Sequence, residues 1–343
     1  MEEARAARRP RRSDRRGGEE GSEVLSLTLF CSATAAQRYG VDWLQVVPDL
    51  QVVTLPDEGR LDDDTLASID LAVFSTDLWT SGRGRRFFGT ALAAPRLRWL
   101  HMFSAGLDDP VFDQLARRGV RVTGSAGSSA VAIAHTVMLH ALALCRNTGA
   151  HAADQAARRW APVDHLDLEG RTMCVIGMGN IGSEVARLAT AFGVRVIGVR
   201  RTPTGHEPCP TYSVDHLHRL LPEVDDLVLA AALNDDSRQL IGAAELALLR
   251  PGAHVINVGR GDLLDEPALV DTLRSGHLHG AALDVFATEP LPDDSPLWDM
   301  DNVLVTPHSA GRTPLSQDRA AAAFTDNLGR WVRGEPLRNE YGT

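Results

Sequence analysis

The stretch Thr172–Arg201, TMCVIGMGNIGSEVARLATAFGVRVIGVRR, decides the fold. Met173 to Ile176 is a short apolar run of the kind that makes a buried parallel strand, and it stops at Gly177. Gly177, Gly179 and Gly182 then spell G-x-G-x-x-G. The first glycine permits a tight turn, the second lets backbone N–H groups approach a pyrophosphate, and the third lets the following helix lie close to the strand. Together with Asn180 and Ile181 they form the turn expected to meet that anion, at a helix N-terminus whose unpaired N–H groups and dipole favour negative charge. Ile181, Val185, Leu188, Ala189 and Phe192 recur at helical spacing on one face. Gly193 ends the helix, and Val194 to Val199 supplies a second strand.

The residues after that second strand bear on which dinucleotide binds. An NAD site usually offers an Asp or Glu there for the adenosine ribose, about 20 residues beyond the glycines. This chain has Arg200, Arg201 and Thr202 instead. A carboxylate would repel a 2′-phosphate, whereas a guanidinium binds it through charge-assisted hydrogen bonds. NADP is therefore the expected cofactor, with NAD possible.

At 343 residues the chain is long enough for two domains, each with its own core. A formal net charge of −10 argues against a nucleic-acid surface, which needs a clustered positive field. Cys31, Cys145, Cys174 and Cys209 are far apart and form no C-x-x-C pair, which fits a reducing cytoplasm and offers no metal site. No apolar run is long enough for a membrane span. Residues 1–23 mix seven arginines with six acids and read as a disordered tail with neither the apolar core of a signal peptide nor the acid-poor character of a transit peptide.

From Val24 onward short apolar runs alternate with helical segments. Val24–Phe30, Gln51–Val53, Leu71–Phe74, Arg98–Met102 and Val120–Val122 read as strands, with helices such as Gly84–Ala93 and Pro110–Arg118 between them. Ser104-Ala105-Gly106 follows one strand as a small-residue turn whose N–H groups are free to receive an anion. Ser128–Asn147 reads as a long helix, capped by Ser128 or Ser129, with an apolar face at Val131, Ala134, Met138, Ala141, Leu142 and Cys145. Its His135 and His140 are expected to be packed or exposed rather than catalytic. It stands before the first strand of the second domain and is expected to cover the junction between domains or an oligomer interface.

Beyond the opening stretch, Asp226–Ala230, His254–Val258, Gly280–Phe286 and Val303–Thr306 read as strands. Ala243–Leu249 is expected to be a helix, as is the segment from an Asp265 cap to a stop at Gly276. The final helix, Arg312–Arg333, is expected to return to the first domain. This divides the chain into residues 24–127 with 312–343, and residues 128–311.

Ligands of open parallel sheets bind outside the carboxyl ends of the strands. Arg260, Glu289 and His308 each lie just past such an end, so they are expected to gather beside a nicotinamide. Arg260 can hold a substrate carboxylate and carbonyl oxygen through its fork of donors. His308 can donate a proton to that oxygen, or remove one in the reverse direction. Glu289 on the other ring nitrogen orients the imidazole and favours its charged form.

From about Leu97 to Gly311 the chain resembles the D-isomer-specific 2-hydroxyacid dehydrogenases. The matching pieces are LRWLHMFSAGLD, VIGMGNIG, INVGRGDLLDEPAL with Arg260, AALDVFATEPLP with Asp284 and Glu289, and NVLVTPHSAG with His308. The resemblance implies Arg260 as substrate anchor, a Glu289–His308 acid/base dyad, and Asp284 with Val258 and Gly259 at the nicotinamide end. It further implies that Ser104-Ala105-Gly106 receives the substrate carboxylate and that the protein is a homodimer. Two pieces depart from the family pattern: Ala232-Leu233-Asn234 replaces a common Pro-Leu-Thr beside the cofactor, and His135 replaces a common Glu.

The expected fold class is α/β, with a Rossmann-type dinucleotide-binding domain and a discontinuous flavodoxin-like substrate domain. The expected activity is hydride transfer between NAD(P)H and a small 2-oxo acid, giving the (R)-2-hydroxy acid, in the cytoplasm. Glyoxylate, hydroxypyruvate or a related short acid follows from the family resemblance. Two alternatives share the scaffold: a formate- or phosphite-type dehydrogenase, and a non-catalytic NAD(P)-sensing protein that acts by partner binding.

Overall fold

The computed structural model describes residues 27–107 and 109–342. The tail expected over 1–23, and the first three residues of the strand expected at Val24–Phe30, lie outside the described residues.

The first half builds one parallel sheet from short buried runs joined by helices. In order these are β1 (Thr28–Cys31), α1 (Ala33–Val46), β2 (Gln51–Thr54), α2 (Asp63–Ser68), β3 (Leu71–Phe74), α3 (Asp77–Thr80), α4 (Gly84–Ala93), β4 (Trp99–Met102), α5 (Pro110–Arg117) and β5 (Arg121–Gly124). The strand order β2-β1-β3-β4-β5 is the doubly wound, flavodoxin-like arrangement. Helix starts follow local chemistry: Asp109 caps α5 by accepting from the N–H of Val111, with Pro110 in the first turn.

Helices α6 (Ala130–Cys145) and α7 (Thr148–Ala156) lead into the second sheet. There follow β6 (Thr172–Ile176), α8 (Asn180–Ala191), β7 (Arg195–Val199), β8 (Thr211–Tyr212), α9 (Leu217–Leu220), β9 (Asp226–Leu229), α10 (Ala243–Leu248), β10 (Ala253–Asn257), α11 (Glu266–Arg274), β11 (Leu278–Leu283) and β12 (Val303–Val305). The order β12-β11-β10-β9-β6-β7-β8, all parallel, reverses direction at β6, which opens a crevice at the carboxyl ends of β6 and β9. The last helix, α12 (Pro314–Val332), returns to the first sheet. Its Phe324 packs edge-on against Trp43 of α1 at 5.3 Å and stacks on Trp99 of β4 at 5.2 Å.

Several expectations are corrected. Phe192 stands beyond the end of α8 and is 45% exposed, because Gly182, Val185, Ala186 and Ala189 already fill the buried stripe. Ser129 occupies the cap position of α6, but its side chain makes no capping hydrogen bond. Burial on α6 is wider than one stripe: Ala130, Ala132, Val137, His140 and Leu144 join Ala134, Met138, Ala141 and Cys145, while Val131 and Leu142 are only partly covered. The strand expected at Gly280–Phe286 begins earlier and stops at Leu283, because the chain turns at Asp284 to meet the loop after β12. Helix α7 and the two-residue strand β8 had no recognisable pattern in the sequence.

At the amino ends of the second sheet Arg171, Asp226 and His254 form a buried cluster, remote from the crevice. Burial opposes the Asp226 charge, but hydrogen bonds from His254 and Arg171 hold its carboxyl below the usual range. Removing one partner of such a buried charge costs about 3–5 kcal/mol. No single helix among the described residues is long and apolar enough to cross a membrane. The bent pair α6 and α7 passes on length and composition, but α6 packs against α8 and β10.

Candidate active site

The glycine turn sits where the sequence puts it, between β6 and α8. Gly177 adopts φ +101°, and a Cβ there would lie 2.5 Å from the backbone nitrogen of Ala231. At Gly182 a Cβ would overlap the carbonyl oxygen of Gly177. Gly179 differs: a Cβ there meets no protein atom within 4 Å, so the space beside it is open. Gly179 is also the cap residue of α8 and supplies no side chain to its first N–H groups. Two glycines that close the fold and one that faces open space at a helix N-terminus fit a pyrophosphate. Asn180 begins α8 with its amide nitrogen 3.2 Å from the Cβ position of Gly127, so it faces the connection between the two sheets. Ile181 packs partly into the core beneath.

Arg200 and Arg201 follow β7, and both are engaged. Arg200 donates from Nη1 to Glu207 at 2.9 Å. The Glu207 carboxylate also accepts from the N–H and hydroxyl of Thr204 and the N–H of Gly205. Those hydrogen bonds, led by that of the Thr204 backbone, hold its carboxyl down to about 2. Arg201 pairs with Asp236 at 2.8 Å and donates to Asn234 at 3.2 Å, and Thr202 is exposed. Asn234, the departure from the family pattern, caps its own turn through the N–H groups of Asp236 and Ser237. Sequence reading missed Glu207 because nothing local distinguishes it from a solvated acid.

Arg260 and the glycines beside it are set by close backbone approach. A Cβ at Gly259 would come within 2.9 Å of the Ala231 carbonyl oxygen, so the loops after β6, β9 and β10 meet at Ala231. A Cβ at Gly261 would overlap the backbone of Phe286, which presses the Arg260 loop onto the loop after β11. Val258 is buried, Arg260 is half-buried, and its Nη1 donates to the Gly259 carbonyl at 2.7 Å.

Phe286 in turn donates its N–H to Glu289 Oε1 at 3.1 Å, and Glu289 Oε2 lies 2.7 Å from His308 Nδ1. Burial works against the Glu289 charge, yet the His308 bond, the His308 charge, the Phe286 N–H and Arg260 together hold its carboxyl below the ordinary range. The hydrogen bond that His308 Nδ1–H donates to Glu289 raises the imidazole above its ordinary value, against burial and the Arg260 charge. The Arg260 charge acts on both members of the pair, and the close approach of Gly261 to Phe286, whose N–H holds Glu289, sets the Arg260 loop against theirs. The His308 side chain is 52% exposed, so water reaches it.

Asp284 is buried, and its carboxylate accepts from the Thr306 hydroxyl at 2.6 Å, the Ser309 N–H at 2.9 Å and the Ala310 N–H at 3.0 Å. It therefore fixes the loop that carries His308. His308 itself sits at φ +47°, a left-handed conformation costing a non-glycine residue about 1 kcal/mol, which its surroundings must offset.

Ser104-Ala105-Gly106 lies at the carboxyl end of β4 in the other sheet. Ser104 Oγ donates to the Gly106 carbonyl at 3.2 Å, and the Ser104 carbonyl accepts from Ser125 at 2.9 Å, so this turn is braced within its own sheet. His135 is exposed on α6 and His140 is buried there, its imidazole held below the ordinary value by burial. Among the described residues no group of three or more His, Cys, Asp or Glu could hold a metal ion.

Residues 138–310 match the family model described as D-isomer specific 2-hydroxyacid dehydrogenase, NAD binding domain. A D-3-phosphoglycerate dehydrogenase of Methanocaldococcus jannaschii is 32% identical over 72% of this chain, which spans 48% of that longer relative. A glyoxylate/hydroxypyruvate reductase B of Pectobacterium carotovorum is 34% identical over 80% of this chain and 89% of its own. Among solved structures, a D-isomer specific 2-hydroxyacid dehydrogenase from Xanthobacter autotrophicus, in complex with NADPH and MES, superposes with a TM-score of 0.75. It is 31% identical and covers 92% of this chain and 97% of its own. With the glycine turn, the two parallel sheets and the strand-end residues in place, the chain belongs to the D-isomer specific 2-hydroxyacid dehydrogenase family.

Proposed function

We propose that this protein reduces a small 2-oxo acid to the (R)-2-hydroxy acid, or oxidises the latter, using a nicotinamide dinucleotide with NADP preferred. The observation that supports it most is the 2.7 Å pair of His308 and Glu289, with the Arg260 charge acting on both, beside a glycine turn with open space at Gly179. Residues 24–127 with 312–343 serve as the substrate domain, and residues 128–311 bind the dinucleotide.

A bound reduced nicotinamide supplies hydride to the carbonyl carbon. The Arg260 guanidinium holds the acid's carboxylate and stabilises charge on the carbonyl oxygen, a charge-assisted hydrogen bond being worth about 1.5–3 kcal/mol. His308 Nε2 donates the proton to that oxygen, while Nδ1 stays bonded to Glu289. Glu289, kept ionised, fixes the ring and stabilises the imidazolium before transfer. The exposed edge of His308 recovers its proton from water. In the oxidative direction the neutral imidazole removes the hydroxyl proton. Val258, Gly259 and Asp284 would lie at the nicotinamide end of a bound dinucleotide, and the Ser104-Ala105-Gly106 N–H groups would receive the substrate carboxylate.

NADP preference rests on Arg200, Arg201 and Thr202 in place of an acid, tempered by the pairing of both arginines with Glu207 and Asp236. The neighbouring structure with NADPH supports the same direction. Leu139, Trp160, Val163 and Leu166 leave apolar surface exposed around α6 and the segment after α7, consistent with a homodimer contact there. The test is turnover of glyoxylate, hydroxypyruvate and other short 2-oxo acids with NADPH and with NADH, alongside formate and phosphite as donors. Reduction of a 2-oxo acid is the expected outcome; turnover of formate or phosphite alone, or none at all, rejects the reading.

A further inference from the structure

The first sheet carries a second feature at the edge opposite Ser104. Asp70 precedes β3, Arg98 precedes β4, and Arg118 lies just before β5; with Arg96 they line a cleft of about 460 Å³. Four strand residues, roughly 13 Å, separate this edge from the turn at the carboxyl end of β4. The Asp70 carboxylate is almost fully buried and accepts from Arg96 at 3.1 Å and from Arg98 at 3.2 Å. Arg118 donates to the carbonyls of Leu92 and Ala94 at the end of α4, which fixes its position without cancelling its charge. Three guanidiniums and one carboxylate leave the cleft two charges positive, in a chain whose net charge is −10.

Arg98 also borders a second hollow, of about 330 Å³. Leu27, Val47, Val332 and the Trp331 indole give that hollow its apolar part, and Glu335, paired with Arg333 at 2.8 Å, also lines it. Its far side is Arg121, held by Glu340 through two hydrogen bonds of 2.6 Å. The guanidiniums of Arg98 and Arg121 lie 5.5 and 5.8 Å from the Trp331 ring centre. A cationic cleft therefore adjoins an apolar hollow through one shared arginine.

We propose that this composite cleft binds a phosphomonoester, with the phosphate among Arg96, Arg98 and Arg118 and the uncharged ring or chain in the hollow beside Trp331. A phosphate dianion matches the two-charge excess and offers several oxygens to forked donors, whereas a single carboxylate satisfies only half of it. The cleft is pre-organised, since the buried Asp70 sets the two arginines before any ligand arrives.

The test is calorimetric titration of the full chain, holding saturating dinucleotide, with phenyl phosphate and with inorganic phosphate at constant ionic strength. Saturable binding is expected, tighter for phenyl phosphate. Arg96→Gln, at an exposed site that leaves Asp70 paired with Arg98, should weaken it roughly tenfold. The triple variant Asp70→Asn, Arg96→Gln, Arg98→Gln, which removes the carboxylate together with its partners, should abolish it, whereas Arg260→Ala should leave it unchanged. The proposal is overturned by absence of binding, by equal affinity for both probes, by wild-type affinity in the two cleft variants, or by loss of binding in Arg260→Ala.

Discussion

The backbone N–H of His308 donates to the carbonyl oxygen of Asp284 at 2.8 Å, while the Asp284 carboxylate grips Ser309 and Ala310 on the other side of the same residue. One acid thereby fixes both flanks of the imidazole. Asp284→Ala strands those N–H groups, a loss of about 1–3 kcal/mol for each one left buried and unpaired. We expect a melting temperature several degrees lower, and kcat reduced roughly tenfold to a hundredfold through misplacement of His308. Unchanged kcat in a protein with a lowered melting point would limit Asp284 to stability.

Arg260→Ala removes the charged donor proposed for the substrate. Loss of about 1.5–3 kcal/mol corresponds to a fall of roughly ten- to a hundredfold in kcat/KM for a 2-oxo acid. Arg260→Lys keeps the charge but loses the fork and should recover only part of it. Near-normal turnover in Arg260→Ala refutes the assignment.

His308 is raised by its bond to Glu289, and its protonated form is the acid in the proposed reduction. Reductive kcat/KM should therefore be level at low pH and fall as pH rises through the raised value, with the oxidative rate rising over the same range. Glu289→Gln removes the largest raising influence, so both limbs should move to lower pH. Profiles that superpose for the two proteins would disprove the dyad. The stabilising effect of the pair is present between the lowered Glu289 value and the ordinary histidine value; it is lost as pH climbs through the raised His308 value and again as pH falls through that of Glu289, and the half-exposed imidazole makes it small.

The two kinds of glycine should separate in one experiment. Gly182→Ala forces a methyl into the Gly177 carbonyl and is expected to lower the melting temperature sharply. Gly179→Ala enters open space and should leave the apo melting temperature nearly unchanged while raising KM for the dinucleotide. Tight dinucleotide binding in Gly179→Ala would show that the pyrophosphate lies elsewhere.

Neutralising Arg200 and Arg201 with glutamine should raise KM for NADPH by roughly tenfold, and KM for NADH much less. Glu207→Ala releases Arg200 and the Thr204–Gly205 turn, and should act in the same direction with a smaller effect. Equal changes for both cofactors in the arginine variant count against recognition of a 2′-phosphate.

Much of the fold was legible because its signals are local. A buried parallel strand is a short apolar run, a strand-to-helix turn is marked by glycine, and the helix cap at Asp265 is readable from three residues. The positions of Arg260, Glu289 and His308 after strand ends were legible for the same reason. Helix α6 was harder: it is apolar nearly all round, so no single stripe distinguishes the face that meets α8 from the rest. Phe192 misled because helical spacing continues past the residue where the helix turns away.

By itself the sequence determined which segments are strands, β8 apart, which glycine turn opens a helix, and which polar side chains end up at the carboxyl edge of a sheet. Those outcomes depend on periodicity and on backbone freedom, and both are written in neighbouring residues. Only the tertiary structure decided that Glu207 holds Arg200, that Asp284 grips the loop of His308, and that Arg96 and Arg98 share one buried carboxylate. Each of these is an encounter between side chains whose partner depends on how separate loops or strands are brought together, and no local pattern specifies it.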